Sequence, residues 1–456
     1  MIRTIVTTTA LFLSSSALAQ QAPSPAPETQ VSETSLRSMV EAMVGFGTRH
    51  TLSEQDNPVR GIGAALRWAE AEFRRIGADC DGCLTVQLPE QVIEGNRVPV
   101  PTRLVNVLGV QLGTERPNEV VIISGHIDSR VSDVMNATAD APSANDNASG
   151  TAAVIEAARV LSRHRFPTTI VYAVLSGEEQ GLYGGRLLAA HAAAQGWTVK
   201  AQLNNDIIGG SRGSDGVTDN AHVRVFSEGH RADSNEAYRA ASRREGGEND
   251  SPSRNLSRFI AGLGGPDAGM LNVRQIFRAD RFGRGGDQLP MQEAGYPAVR
   301  LSVAIEDYDH QHQDLRTENG TVYGDTIDEM DFPYLARVTA LNVRALAALA
   351  RAPMPPAVRA QGAVANDTTL TWSPVEGASG YRIYRRRSDE SGWGTAHATI
   401  ATPLTVETAE GTRLRWVLAG ERLDDWMYGV TALTSSGHES PIASAVPGGA
   451  FAPLPR

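Results

Sequence analysis

The stretch VVIISGHID at residues 120–128 joins an unbroken apolar run to a histidine and an aspartate. Such a run is expected of a β-strand that helices cover on both faces. Further strand-like segments occupy residues 169–175, 199–208 and 298–304, and segments with the helical spacing of apolar residues lie between them. This alternation predicts an α/β fold with a mixed, mainly parallel sheet sandwiched by helices.

Two side chains with metal-binding chemistry follow the first strand directly. His126 and Asp128 are two residues apart in an extended segment, so both side chains lie on the same side of the strand. Asp128 can then accept a hydrogen bond from the second ring nitrogen of His126 and fix its tautomer for metal binding. A His-x-Asp pattern by itself more often belongs to a surface histidine, so the interpretation needs support from other motifs.

Carboxylates follow the neighbouring strands or open the next helix. Asp146 lies in SANDNASG (143–150), Glu178 and Glu179 lie in SGEEQGL (176–182), and Asp206 ends LNND. Taken singly, Asp146 fits the N-cap of a helix. The two glutamates fit a solvated loop as well as they fit a metal site. The carboxyl ends of parallel strands meet at one edge of a sheet, and we therefore expect these side chains to converge there.

A late segment, DYDHQHQD at residues 307–314, adds His310 and His312 after the strand at 298–304. So many carboxylates in one crevice repel each other unless a divalent cation is bound between them. Imidazole and carboxylate ligands without a thiolate favour zinc, with cobalt or manganese as substitutes. The sequence therefore predicts a metal site at this edge of the sheet.

The motifs GHID, SANDNASG, SGEEQGL, LNND and the late histidine occur in this order. As a set, they resemble metallopeptidase family 28, the secreted co-catalytic di-zinc aminopeptidases whose relatives include glutamate carboxypeptidases and glutaminyl cyclases. The resemblance covers about residues 36–350 and implies the zinc aminopeptidase fold with two Zn²⁺ per chain. It implies one metal held by His126 and Asp206, a second held by Glu179 and the late histidine, and Asp146 as the bridging carboxylate.

The resemblance also implies the catalytic roles. Glu178 is expected to be the general base, and Asp128 the carboxylate that orients His126. In the family, an aspartate follows the late histidine by four residues. His310 keeps this spacing to Asp314, so His310 is preferred over His312 as the ligand.

The implied activity is that of an exported zinc-dependent exopeptidase acting on peptides. An aminopeptidase is favoured, which removes N-terminal residues by means of a metal-bridged water and the general base. A glutaminyl cyclase, a carboxypeptidase or a dipeptidase on the same scaffold stays open, and a non-catalytic binding protein is a further alternative.

The chain is expected to have five parts. Residues 1–19 have the positive start, apolar stretch and Ala-Leu-Ala cleavage site of a signal peptide, which predicts a periplasmic or secreted protein. A flexible leader is expected at 20–34, the catalytic domain at 35–350 and a Pro-rich linker at 351–356. From 357 to 448 the alternating strands, with Trp372 and Tyr428, resemble a fibronectin type III β-sandwich, which is expected to contact envelope, polysaccharide or protein.

The amino-acid composition argues against one class of binding partner. With 42 Lys and Arg against 52 Asp and Glu, the net charge of −10 argues against nucleic acid. Beyond the predicted signal peptide no window is apolar enough for a membrane span. Cys80 and Cys83 form a C-x-x-C pattern, which in an exported protein predicts a structural disulfide or a pair of free thiols.

Overall fold

The computed structural model describes residues 25–408 and 411–455. After a short 3₁₀ turn at Pro27–Gln30, the described part of the chain forms α-helices of 6 to 20 residues. They are α1 (Glu33–Val44), α2 (Gly61–Asp79), α3 (Ser149–Leu161), α4 (Tyr183–Ala194), α5 (Glu236–Glu245), α6 (Pro252–Leu263), α7 (Gln288–Glu293) and α8 (Phe332–Arg351).

The strands fall into one large sheet, two four-stranded sheets and two hairpins. In chain order they are β1 (Thr85–Gln87), β2 (Glu90–Gly95), β3 (Val98–Val105), β4 (Val107–Gln111), β5 (Arg116–His126), β6 (Thr168–Leu175), β7 (Thr198–Asn205), β8 (His222–Phe226), β9 (Asn272–Ile276), β10 (Ala298–Val303), β11 (Arg316–Glu318), β12 (Thr321–Tyr323), β13 (Arg359–Gln361), β14 (Thr368–Trp372), β15 (Gly380–Arg387), β16 (Ala398–Ile400), β17 (Leu404–Thr408), β18 (Gly411–Leu418), β19 (Trp426–Leu433) and β20 (Ala443–Ser444).

The large sheet confirms the predicted fold class. Its order is β1-β4-β6-β5-β7-β10-β8-β9. The central neighbours β6, β5, β7 and β10 pair in parallel, and β1, β4 and β8 add antiparallel pairings. The parallel centre brings the carboxyl ends of four strands to one edge.

Helices cover both faces of this sheet, which explains the unbroken apolar run in β5. Val121 and Ile123 pack into a core with α1, α2, α3 and α8, whereas Val120 and Ile122 pack into a second core with α4 and α7. All four side chains are fully buried. Because both faces of β5 are buried in a core, apolar and polar residues do not alternate along this strand.

The expected flexible leader over residues 20–34 is wrong from Pro27 onward. Pro27 is buried in the short 3₁₀ turn, and the carbonyl oxygen of Gln30 accepts a hydrogen bond of 2.7 Å from Arg159 Nη2. The Ser32 side chain then caps α1 by accepting from the backbone N–H of Ser35. Residues 20–24 and the predicted signal peptide at 1–19 lie outside the described residues.

The C-terminal section is an all-β sandwich, as predicted. Its antiparallel sheets, β13-β14-β18-β17 and β16-β15-β19-β20, share a core that includes Trp372 and Tyr428. The sandwich packs on the α/β domain through the buried pair of Arg386 Nη2 with the two carboxylate oxygens of Asp250, at 2.6 and 2.7 Å. Its likeness to fibronectin type III stays a prediction.

Two smaller features complete the fold. Cys80 and Cys83 form a disulfide at the end of α2, which selects the first of the two predicted states. Within residues 25–408 and 411–455, no helix combines the length and apolarity needed to cross a membrane.

Candidate metal centre

Three neighbouring parallel strands deliver most of the predicted site residues to one edge of the sheet. His126 is the last residue of β5, Glu178 and Glu179 follow the end of β6, and Asp206 follows the end of β7. Asp146 stands just before α3, the helix that follows β5. The topology therefore places the carboxylates together because the strands that carry them are hydrogen-bonded neighbours.

The side chains of this cluster form two half-sites that share Asp146. In the first half-site, His126 Nε2 lies 3.3 Å from Asp146 Oδ1 and 3.8 Å from Asp206 Oδ1. In the second, His312 Nε2 lies 2.9 Å from Asp146 Oδ2 and 3.1 Å from Glu179 Oε1. Because the two oxygens of Asp146 face different half-sites, its carboxylate has the geometry of a bridging ligand.

Two carboxylate oxygens within the cluster lack a hydrogen-bond donor. Glu179 Oε1 and Asp206 Oδ1 are buried, and the histidine nitrogens that lie 3.1 and 3.8 Å from them are not placed to form a hydrogen bond. A buried acceptor without a partner costs about 1–3 kcal/mol, and more when it is charged. A bound cation removes this cost. The set of imidazole nitrogens and carboxylate oxygens fits zinc.

The pKa values report the same surplus of negative charge. Burial by itself lowers the pKa of His126, but the carboxylates of Asp128, Asp146 and Asp206 raise it well above its usual value. Burial also opposes protonation of His312, yet its neighbours Glu179 and Asp146 raise its pKa to about 10. The cluster therefore favours positive charge at its centre.

The carboxyl group of Glu178 lies beside this centre. His126, Glu178 and Glu179 offer potential ligand atoms that all lie within 4.8 Å of one another. Burial, together with the charges of Glu179 and Asp206, raises the pKa of Glu178 well above its usual value. Glu178 also lines the cleft in front of the cluster.

Asp128 orients the site differently from the prediction. His126 Nδ1 lies 3.1 Å from the backbone carbonyl oxygen of Asp128 and 3.6 Å from its carboxylate. The carboxylate instead accepts hydrogen bonds from the backbone N–H groups of Glu178, at 3.2 Å, and Glu179, at 3.0 Å. Asp128 thus holds both His126 and the turn that carries the two glutamates.

The structure corrects the preference for His310. Its ring nitrogens face Asp307, at 2.8 Å, and Glu329, at 3.5 Å, which form a separate group. His312, in a left-handed backbone conformation with φ 59°, is the histidine that reaches the cluster. The four-residue spacing between His310 and Asp314 does not identify the metal ligand. The carboxylate of Asp314 instead accepts a hydrogen bond from Ser132 on another loop.

Two supporting residues were not foreseen. Arg300 on β10 is fully buried, and its Nη1 pairs with Asp206 Oδ2 at 2.8 Å. Asp325 accepts hydrogen bonds from the backbone N–H groups of Asn145, at 2.8 Å, and Asp146, at 2.6 Å; burial raises the Asp325 pKa to about 7. An arginine inside an otherwise apolar strand is a signal that the sequence offers, whereas nothing local marks Asp325.

Comparison with known proteins agrees with this geometry. The family model described as Peptidase family M28 matches residues 106–341, a span that contains all the cluster residues. The chain belongs to peptidase family M28.

The curated relatives of this M28 peptidase are similar over most of their length. A probable zinc metalloprotease of Leptosphaeria maculans is 44% identical over 81% of this chain and 88% of its own. Another, from Pyrenophora teres f. teres, is 39% identical over 92% of this chain and 86% of its own. Membership in this zinc metallopeptidase family implies zinc as the cofactor, in agreement with the donor set.

A solved structure shows the same fold for the M28 peptidase. LapA of Legionella pneumophila superposes with a TM-score of 0.50 and 18% sequence identity, covering 71% of this chain and 74% of that one. At this identity the likeness extends to the arrangement of sheet and helices.

Proposed function

We propose that this M28 peptidase is an exported aminopeptidase that uses two zinc ions to remove N-terminal residues from peptides. The observation that carries the proposal is the orientation of Asp146, whose two carboxylate oxygens face two different half-sites. One half-site is completed by His126 and Asp206 and the other by His312 and Glu179.

Each residue has a distinct task in the proposed reaction. When bound, the ions supply Lewis acidity, which polarises a carbonyl and lowers the pKa of water. Glu178, beside both half-sites, accepts the proton of the attacking water and delivers it to the leaving amine. Asp128 keeps Glu178 in place through its hydrogen bond to the backbone N–H group.

The cleft in front of the cluster supports cleavage at a chain end. Its volume of about 390 Å³ lies within the range of small-ligand sites, so it accommodates a terminal residue of a peptide. Asp146, Glu178, Glu179 and Asp206 line one side of it. This anionic side suits the ammonium group of a free N-terminus.

A panel of aminoacyl p-nitroanilides, free and N-acetylated, tests the proposal. We expect hydrolysis of the free substrates only, loss of activity with a chelator, and recovery on addition of zinc. Metal analysis should find two zinc ions per chain. One tightly bound zinc together with cyclisation of N-terminal glutamine, or cleavage of the N-acetylated substrates alone, contradicts the proposal.

The Glu178→Gln variant tests the general base separately from metal binding. It should keep its zinc and lose at least about 100-fold in kcat, the contribution typical of a positioned base. Glu329→Gln is the matched control, because Glu329 lies in the separate group with His310. Activity of Glu178→Gln close to that of the unmodified enzyme removes Glu178 from this role.

A further inference from the structure

The cleft in front of the metal centre has a second chemical character. Besides the carboxylates of the cluster, four arginines line it: Arg97, Arg130, Arg281 and Arg284. All acidic side chains lining this cleft within the described residues are metal ligands or the proposed general base. Metal binding offsets the charge of the ligand carboxylates and leaves that of Glu178, whereas the guanidinium groups keep their charge.

Arg281 and Arg284 form a wall with more positive than negative charge. Both face the buried carboxylate of Glu306, which lies 2.8 Å from Arg284 Nη1 and 3.5 Å from Arg281 Nη1. The same carboxylate pairs with Arg224 at 2.6 Å. Arg281 also pairs with Asp280 at 3.0 Å. Three guanidinium groups therefore face two carboxylates, and the wall retains surplus positive charge.

Arg281 is held in a fixed orientation beside the cleft. Its side chain is only 8% exposed, and it is held by hydrogen bonds of 3.0 Å from Nε to Asp280 Oδ1 and from Nη2 to the carbonyl oxygen of Gly285. Its Nη1 is buried and faces the Glu306 carboxylate at 3.5 Å without forming a hydrogen bond. A guanidinium group that is already fixed beside a cleft loses little side-chain freedom when it attracts an anionic group.

The remaining two arginines carry charges that no carboxylate balances. Arg97, next to β3, donates from Nη1 to the backbone carbonyl of Glu179 at 3.0 Å. Arg130 donates to the carbonyl oxygens of Val131 and Ser132. Within residues 25–408 and 411–455, neither guanidinium forms an ion pair with a carboxylate, so both stay free to attract a substrate anion.

We propose that this cleft selects substrates that carry a carboxylate close to the scissile bond, bound by Arg281 and Arg284 with Arg97 and Arg130 adding attraction. This inference rests on the proposed exopeptidase function and names its substrate class. The acidic side of the cleft takes the ammonium group and the basic walls take the carboxylate. That carboxylate belongs either to an acidic side chain or to the free C-terminus of a dipeptide.

Two pairs of substrates, each differing only in one charge, test the proposal and separate the two sources. Glu-p-nitroanilide against Gln-p-nitroanilide tests a side-chain carboxylate. Leu-Leu against Leu-Leu-amide tests a terminal carboxylate. In the zinc-loaded full-length enzyme, we expect kcat/KM to favour the charged member of at least one pair by about 10-fold or more, as for a charge-assisted hydrogen bond.

Variants assign the preference to the arginines. Arg284→Gln, a partly exposed position, should reduce the preference for the charged substrate at least 5-fold, and Arg281→Gln should do the same. Arg244→Gln is the matched control, since Arg244 is exposed at the end of α5, and it should leave the ratio unchanged. Arg97→Gln tests one of the two arginines that add attraction and should lower the ratio less.

The outcomes separate this inference from the proposed function. Hydrolysis of neutral substrates with ratios near one in both pairs overturns the carboxylate inference and leaves the peptidase activity standing. A preference that survives both Arg284→Gln and Arg281→Gln also overturns it. A zinc-loaded enzyme inactive on every substrate overturns the proposed function and this inference with it.

Discussion

Replacing Arg300 by methionine is expected to weaken both the fold and the metal centre. Arg300 is fully buried, and its Nη1 lies 2.8 Å from Asp206 Oδ2 and 3.4 Å from Asp280 Oδ2. It also donates to the carbonyl oxygen of Gly285 at 3.0 Å. Its removal leaves two buried carboxylates without this cation.

The expected losses of folding free energy and of zinc affinity follow from these contacts. Removing one partner of a buried ion pair typically costs about 3–5 kcal/mol. The charges of Arg300 and Arg281 overcome the effect of burial and lower the pKa of Asp280 from 3.8 to about 2, which by itself corresponds to about 2 kcal/mol at neutral pH. Asp280 is ionised above its unfolded pKa, so this stabilisation is present above pH 4 and is lost as the pH falls towards 2. Because Asp206 loses its orienting partner, zinc affinity should fall about 10- to 100-fold.

Chemical denaturation of the metal-free protein at pH 7 and zinc competition with a chromophoric chelator measure the two effects. Arg274→Met is the control, because Arg274 makes a 2.9 Å ion pair with Asp219 while its side chain is 42% exposed; we expect it to cost less than about 1 kcal/mol. If Arg300→Met keeps the stability and zinc affinity of the unmodified protein, Arg300 does not support Asp206 as described.

Three further predictions concern other parts of the chain. His312→Ala should lose one of two zinc ions while His310→Ala keeps both; equal zinc contents would contradict the assignment of His312 to the second half-site. Lys200, the single lysine of the chain, is fully buried, and burial lowers its pKa from 10.5 to about 8. The unfolded chain therefore binds more protons between these values, so stability should rise by about 3 kcal/mol from pH 8 to pH 10.5 relative to Lys200→Met, measured by denaturation across that range. Arg386→Met, which breaks the buried pair between the two domains, should cost about 3–5 kcal/mol. Arg382→Met, which breaks a more exposed pair within the sandwich, should cost less than about 1 kcal/mol in the same assay.

The parts of the fold that the sequence predicted well are those with a strong apolar pattern. The expected strand at 169–175 is β6, and α8 shows an equally strong apolar pattern at helical spacing. Both bury most of their residues, so their periodicity is visible without the tertiary structure.

The parts that the sequence did not predict bury polar groups or lie at an edge. Helix α6 buries Ser253, Asn255 and Ser257 against the C-terminal domain and the sheet, so its buried face does not look apolar. Strand β9 is the last strand of the large sheet and is only half-buried. Neither pattern is distinguishable from a loop in the linear sequence.

The residues of the candidate site also differ in whether the sequence predicted them. His126, Asp146, Glu178, Glu179 and Asp206 were predicted because each follows a strong strand or opens the next helix. The choice between His310 and His312 depended on a turn in a long loop, where spacing does not set direction. Arg300 and Asp325 act through partners that are distant in sequence.

The linear sequence was sufficient for the α/β class, for the strands whose ends carry metal ligands, and for the ligand types that favour zinc. These features follow from local periodicity and from residue chemistry, which neighbours along the chain determine. Which histidine reaches the second half-site, how Arg300 and Asp325 hold the carboxylates, and that four arginines face the same cleft depended on long-range packing. Such packing brings residues together from separate loops, and the balance of burial and charge among them exists only once the chain has folded.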